Sequence, residues 1–191
     1  MSIKSNLGVS PVNSIPYMIS HITGFDQGIL TTIIFCSFIV IQAVLLGKEF
    51  KSINLLQIVF SIVFGYFVTF SNNLFSFLIV PQNYLLHLLL LCISIILVAL
   101  GLLLYLSADI VPQPAEGLFL AIHKKTKIEF SNIKIFGDSS FVIISVILSF
   151  VFLGELIGIR EGTIISAIMI GKLLGILSHL YKEKLRKFLF S

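Results

Sequence analysis

The chain has 191 residues, of which 57% are apolar and 12% charged, and its mean hydropathy is +1.08. Soluble domains carry roughly 25% charged and 45–50% apolar residues, so a domain this short could not bury so much apolar surface in water. The composition therefore excludes a soluble globule, a disordered chain and a coiled coil. The net charge of +4 is too small to indicate a nucleic-acid partner.

Five segments are apolar enough to cross the roughly 30 Å hydrocarbon layer, which takes about 20 helical residues. In chain order they are Gly28–Gly47, Ile53–Phe70 with an apolar tail Leu74–Val80, Tyr84–Leu106, Ser139–Gly154 and Gly162–Tyr181. The fourth could begin a turn or two earlier, where Lys134 and Asp138 stand at i, i+4. Two helical segments, Pro11–Thr23 and Pro114–Lys124, are too short to cross. The predicted fold class is an all-α polytopic transmembrane bundle, with five long spans and two short proline-led helices.

Basic residues fall unequally on the two sides that five spans define. Ten lie on one side, and Lys4 and Arg160 lie on the other. The ten are Lys48, Lys51, Lys124, Lys125, Lys127, Lys134, Lys182, Lys184, Arg186 and Lys187. The positive-inside rule places these ten in the cytoplasm, so we predict a multi-pass protein of the cell membrane with a cytoplasmic C-terminus.

A shift of 103 residues aligns two parts of the chain without gaps. The matched pairs are Pro11 with Pro114, Asn13 with Glu116, Thr23 with Thr126 and, after a three-residue slip, Gly65 with Gly171. A unit of three spans reverses its orientation between copies, as in the inverted repeats of many secondary transporters. The alternative is chance similarity between apolar segments.

The repeat predicts one membrane domain, residues 1–191, with a first repeat at 1–80 and a second at 81–191. Met1 aligns with Leu104, near the end of the span that opens the second repeat. The first repeat is therefore incomplete, and we expect DNA upstream of Met1 to encode a leading span of about 20 apolar residues.

Three pieces of the chain carry a family resemblance: Lys4–Pro11 (KSNLGVSP), Ser107–Val111 (SADIV) and Gly158–Thr163 (GIREGT). They are similar to the YczE/YyaS/YitT family of bacterial integral membrane proteins, closest to the YczE side, and the likeness covers nearly the whole chain. The second copy departs from the family's A-D-L-G-x-x-P turn, with Val111 and Pro112 where the first copy has Gly8 and Val9. The resemblance implies a polytopic protein of the bacterial cell membrane and supplies no activity or catalytic residues.

The proline-led segments hold most of the candidate site. Proline suits the first position of a helix, because its missing N–H has no intrahelical partner there. Irregular backbone at membrane depth must face protein or a wet cavity, where helix N-termini can hold an anion or a carboxylate. The alternative is that both segments lie flat at the membrane interface. The candidate substrate or ion site, at the interface of the repeats, is Asn6, Ser10, Asn13, Asp109, Glu116 and Lys172.

Lys172 enters this set because a lysine near the middle of a span costs roughly 2.5–3.5 kcal/mol on insertion scales. It should therefore face protein or water and have a partner. Asp109, Glu116 and Asp138 are the acidic candidates, and the repeat register favours Glu116 over Asp138. Three interpretations stay open: a substrate counter-ion or proton relay, a structural clamp, or a side chain that snorkels to the cytoplasmic boundary.

The sequence contains no pattern typical of phosphate binding, of a catalytic nucleophile or of a dinucleotide site, and its four histidines lack metal-ligand spacing. We predict a protein without catalytic, cofactor or metal residues that is not an enzyme. The leading interpretation is a transporter or permease in the lipid bilayer, with a small-molecule or ion substrate and either a second copy or another membrane subunit as partner. The alternatives are a substrate-binding subunit of a larger transporter, similar to vitamin-binding S components, and an accessory or regulatory membrane protein.

The topology predicts the sides from which single cysteines react. Cysteines that replace Lys48, Lys125 and Lys184 should react with an impermeant thiol reagent only from the cytoplasm, and those at Gln82 and Arg160 only from outside. Reaction of the cysteine at position 125 from outside intact cells would contradict the inverted arrangement of the repeats.

Overall fold

The computed structural model describes residues 7–74, 84–107 and 111–189. They form seven α-helices: α1 Pro11–Thr23, α2 Gln27–Leu46, α3 Leu56–Leu74, α4 Tyr84–Ser107, α5 Pro114–Thr126, α6 Phe130–Leu153 and α7 Glu161–Leu189. Two 3-10 turns, Gly47–Glu49 and Ser52–Leu55, lie between α2 and α3. The predicted all-α class, with five long helices and two short proline-led ones, is confirmed.

Helices α2, α3, α4, α6 and α7 are each long and apolar enough to cross a membrane, and large apolar side chains cover their outward faces. The chain is therefore an integral multi-pass membrane protein. Helix α6 begins at Phe130 rather than at Ser139, because Lys134 and Asp138 are buried against other helices and need not stay in water. Of the apolar tail Leu74–Val80, the first residue ends α3 and the others lie outside the described residues.

The ends of the short helices follow from the local sequence. Both α1 and α5 begin with proline at the first helical position, where no N–H is needed. Helix α1 ends at Gly24, whose left-handed φ of 75° suits glycine and lets its N–H donate to the Ser20 carbonyl. The next helix starts at Gln27, and the carboxylate of Asp26 just before it accepts from the Ile29 N–H.

The two short helices are packed inside the bundle. In α5, the Phe119 ring stacks on Phe141 of α6 at 5.8 Å between centroids, and Phe141 stacks on Phe38 of α2 at 5.3 Å. In α1, Ser14 and Met18 have no exposed surface. This burial favours short helices that re-enter the bundle over linkers that lie flat on its surface.

The helices pack in pairs that correspond between the two halves of the chain. Helix α1 contacts α6 and α2, and α5 contacts α2 and α6. Each half also contains a long antiparallel pair, α2 with α3 and α6 with α7, and α4 packs on α7. Each short helix is therefore held mainly by long helices, including one from the other half.

The α2–α3 pair crosses where two glycines meet. A methyl group built on Gly28 would collide with the carbonyl of Gly65, and one built on Gly65 would collide with Thr32 and with the Gly28 carbonyl. In the α6–α7 pair, Gly171 lies as closely against Ser131 and Ile135. Small residues at both crossings let the backbones approach, as is common in membrane bundles.

We predict that Gly65→Ala lowers the stability of the bundle, because the added methyl has backbone atoms on its far side and cannot be relieved by one rotamer change. Overpacking of this kind costs about 1–3 kcal/mol. The measurement is the melting temperature in detergent, with Gly101→Ala as the control, since a methyl at that helical glycine meets nothing within 4 Å. An equal melting temperature for both variants would contradict the close crossing.

Candidate functional site

A cavity of about 430 Å³ lies between the helices of the bundle, and both proline-led helices begin at it. Its walls come from every helix except α2. The polar lining residues are Ser10, Asn13, Ser94, Gln113, Glu116, Lys134, Asp138 and Ser166. Apolar residues such as Phe64 and Val98 complete the wall. We call this space the central cavity.

Three charged side chains meet on one side of the central cavity. The ammonium of Lys134 lies 3.4 Å from Glu116 Oε1 and 3.2 Å from Asp138 Oδ2. Relative exposures are 4% for Glu116, 2% for Lys134 and 1% for Asp138, so the group is withdrawn from solvent. These three residues are called the charge cluster below.

Local sequence positions each member of the charge cluster. Lys134 and Asp138 stand at i, i+4 on α6, so the helix itself places them on one face. Glu116 occupies the third position of α5, where the helix dipole favours a negative charge. The Lys134 ammonium also lies 5.5 Å from the centre of the Phe119 ring, whose π face attracts cations.

Two acceptor atoms at the central cavity have no hydrogen-bond partner among the described residues. They are Glu116 Oε2 and Asn13 Oδ1. The other polar atom of Asn13 is occupied, because its Nδ2 donates to Ser10 Oγ at 3.3 Å. Both oxygens are therefore available to accept hydrogen bonds from a donor in the cavity.

The structure brings together half of the residues predicted for the site. Ser10, Asn13 and Glu116 line the central cavity, whereas Asn6 and Asp109 lie outside the described residues. Lys172 is exposed and does not line the cavity. The reason is the rotation of α7: Ile170 faces the cavity, and a residue two positions further on points about 200° away.

The lysine of the site is instead Lys134, which pairs with Glu116 and Asp138, two of the three acids predicted as partners of Lys172. The signal for it was present in the sequence as the i, i+4 pair with Asp138. However, the distribution of basic residues had placed Lys134 in a cytoplasmic connection. Without it the bias between the two sides is nine to two, so the predicted topology is unaffected.

A second cavity, of about 330 Å³, lies among α4, α5, α6 and α7. Its lining includes His123, Glu129 and Ser178. These residues lie near the basic connection after α5, so this cavity occupies the end of the bundle that carries Lys124 and Lys125. Ser107 Oγ is buried here without a hydrogen-bond partner in the described part of the chain.

Comparison with known protein families matches residues 1–179 of the chain to the family described as "Family of unknown function (DUF6198)". No curated protein and no solved structure matches the chain. The resemblance to the YczE/YyaS/YitT family stays a prediction, because nothing in this match bears on it.

We predict that Lys134→Met destabilises the protein strongly, because it leaves two buried carboxylates without their counter-charge. Breaking a buried ion pair by removing one partner costs about 3–5 kcal/mol. The measurement is the melting temperature in detergent. Adding Glu116→Gln and Asp138→Asn to Lys134→Met should restore most of the loss.

The matched control is Lys172→Met, which removes an exposed charge from the neighbouring helix and should change the melting temperature little. Equal losses from the two lysine variants, or no recovery in the triple variant, would contradict a stabilising charge cluster.

Proposed function

The chain belongs to this family, and because the family description assigns no activity, we propose a function from the geometry: a small transporter or permease whose substrate binds in the central cavity. The observation that carries the proposal is the convergence of two short helix N-termini and three buried charges on one cavity inside a membrane bundle. Secondary transporters commonly bind substrates near the bilayer midplane, between internal repeats and at interrupted helices.

The polar contacts of the two short helices support an inverted repeat as the basis of this function. Ser145 of α6 donates to Ser14 in the first turn of α1 at 2.9 Å. In the 103-residue register the counterpart of Ser145 is Gln42 of α2, which donates to the Pro114 carbonyl in the first turn of α5 at 3.0 Å. Each short helix is thus fastened at its first turn by the corresponding long helix of the other half.

The glycine crossings agree with the same register. Gly28 aligns with Ser131 in the 103-residue register, and Gly65 aligns with Gly171 after the three-residue slip; Gly28 lies against Gly65, and Ser131 against Gly171. Two halves built alike and packed in opposite directions provide two arrangements of similar free energy, one open to each side. Exchange between such arrangements is the alternating access that transport requires.

Ion pairs support the proposed orientation. Glu49, after α2, lies 2.8 Å from the ammonium of Lys124 and 3.0 Å from that of Lys125 at the end of α5. The connections that follow α2 and α5 therefore meet at one end of the bundle, as the distribution of basic residues requires of two cytoplasmic loops. The second cavity lies toward this same end of the bundle.

Two-sided accessibility tests the proposal. In a background with Cys36→Ala and Cys92→Ala, we expect Ser166→Cys at the central cavity to react with an impermeant maleimide from either side of reconstituted vesicles. Ser→Cys is a small change, and α7 keeps its packing. The measurement is the labelled fraction after reagent is added outside or trapped inside.

The control is Ile164→Cys, two positions away on the exposed face of α7, which should stay unlabelled because a lipid-facing thiol meets no aqueous reagent. Reaction of Ser166→Cys from one side only would contradict alternating access. That result would instead favour a substrate-binding subunit that captures its ligand from one side.

A further inference from the structure

Resting on the central cavity as the proposed substrate site, we infer that its ligand is a small organic monocation, with N–H donors on a charged head and an apolar body. The charge cluster and Asn13 bind the head, and the apolar wall binds the body. This inference concerns the ligand's chemistry and does not require that the ligand crosses the membrane.

The unpartnered polar atoms at the cavity indicate a ligand that carries hydrogen-bond donors. The two unpartnered atoms at the cavity, Glu116 Oε2 and Asn13 Oδ1, are both acceptors. The Lys134 ammonium cannot serve them both, because it already faces Glu116 Oε1 and both oxygens of Asp138 within 3.5 Å. An ammonium or guanidinium group supplies several donors in a small volume, and its bonds to a carboxylate are charge-assisted.

The net charge of the side chains that line the cavity also indicates a cationic ligand. Glu116 and Asp138 are the acids of the cavity wall, and Lys134 is the one cation among the described lining residues. With both carboxylates ionised, the cluster carries one uncompensated negative charge. Such a charge is costly in a low-dielectric interior, and one positive charge on the ligand neutralises it.

The helix N-termini at the cavity attract anions only weakly. A helix N-terminus attracts anions through its free N–H groups. Here Pro11 and Pro114 remove the first N–H of each helix, and the N–H of Asn13 already donates to the Ser10 carbonyl at 3.0 Å. The positive end of α5 is met by Glu116 from its own first turn. An anionic ligand would therefore find few donors and a nearby carboxylate.

The remaining wall selects for an organic ligand over a metal ion. Phe64, Ile95, Val98, Leu102 and Ile170 form the apolar part of the cavity wall. Among the described residues, no three His, Cys, Asp or Glu side chains could share a metal ion. A volume of about 430 Å³ suits a ligand with a ring or short chain attached to its charged head.

Three probes of matched shape test the charge of the ligand: 2-phenylethylammonium, 2-phenylethanol and 3-phenylpropionate. Each is added at millimolar concentration to the full-length protein in a mild detergent, and binding is followed by calorimetry and by the shift in melting temperature. We expect saturable binding of the ammonium, with at least tenfold weaker binding of the alcohol and of the carboxylate.

Variants of two cavity residues test whether the ammonium binds in the central cavity. Glu116→Gln should weaken ammonium binding roughly ten- to hundredfold, as expected when a hydrogen bond to a charged group is lost. Asn13→Leu removes the other acceptor and leaves the charge cluster intact, so it should weaken binding without lowering the melting temperature of the free protein. The control Glu155→Gln removes an exposed carboxylate that does not line the cavity and should leave the affinity unchanged.

The outcomes separate this inference from the proposed function. Equal binding of the alcohol, tighter binding of the carboxylate, or no saturable ammonium binding would overturn the inference. An ammonium affinity that survives both Glu116→Gln and Asn13→Leu would overturn it too. None of these results changes the two-sided labelling of Ser166→Cys, which tests transport independently of the ligand's charge.

Discussion

The buried ion pairing of Lys134 is the constraint on which the centre of the molecule depends. An ammonium and two carboxylates cannot leave water singly without a penalty of several kcal/mol each, so α5 and α6 must bring them together. Asp138 comes from the same helix as the lysine, but Glu116 comes from α5, so satisfying the lysine also fixes where α5 begins. The pairing of these charges thus determines where the charged side of the central cavity lies.

Polar contacts that involve the short helices help to determine which helices associate, and apolar contacts alone cannot do this in lipid. Between two apolar helices there is no hydrophobic drive to associate in a bilayer, so packing and hydrogen bonds determine which helices meet. Gln42 and Gln57 exchange two hydrogen bonds, and Gln42 also reaches the Pro114 carbonyl. Buried in this way, both amides are satisfied, and α2, α3 and α5 are joined at one point.

The charge cluster and the hydrogen bonds that hold the short helices differ in how costly they are to break. The Ser14–Ser145 and Gln42–Pro114 contacts are neutral hydrogen bonds at the beginning of each short helix. A small rotation of one half relative to the other could replace them with other hydrogen bonds. The charge cluster is more costly to separate, because each ion would lose its partner inside the bundle. A ligand that neutralises the cluster would therefore act at the cavity where both short helices begin.

The sequence alone determined the membrane class, the five spans, the two short helices and three cavity residues, Ser10, Asn13 and Glu116. Apolar length and proline position are local properties, so no tertiary information was needed for them. The lysine of the site required the structure. Lys172 lies deep in its span, but helix rotation turns it outward, whereas Lys134 stands near a helix start and resembles a loop residue until α5 covers it. Which face of a helix is covered depends on its neighbours, and only the tertiary structure decides this.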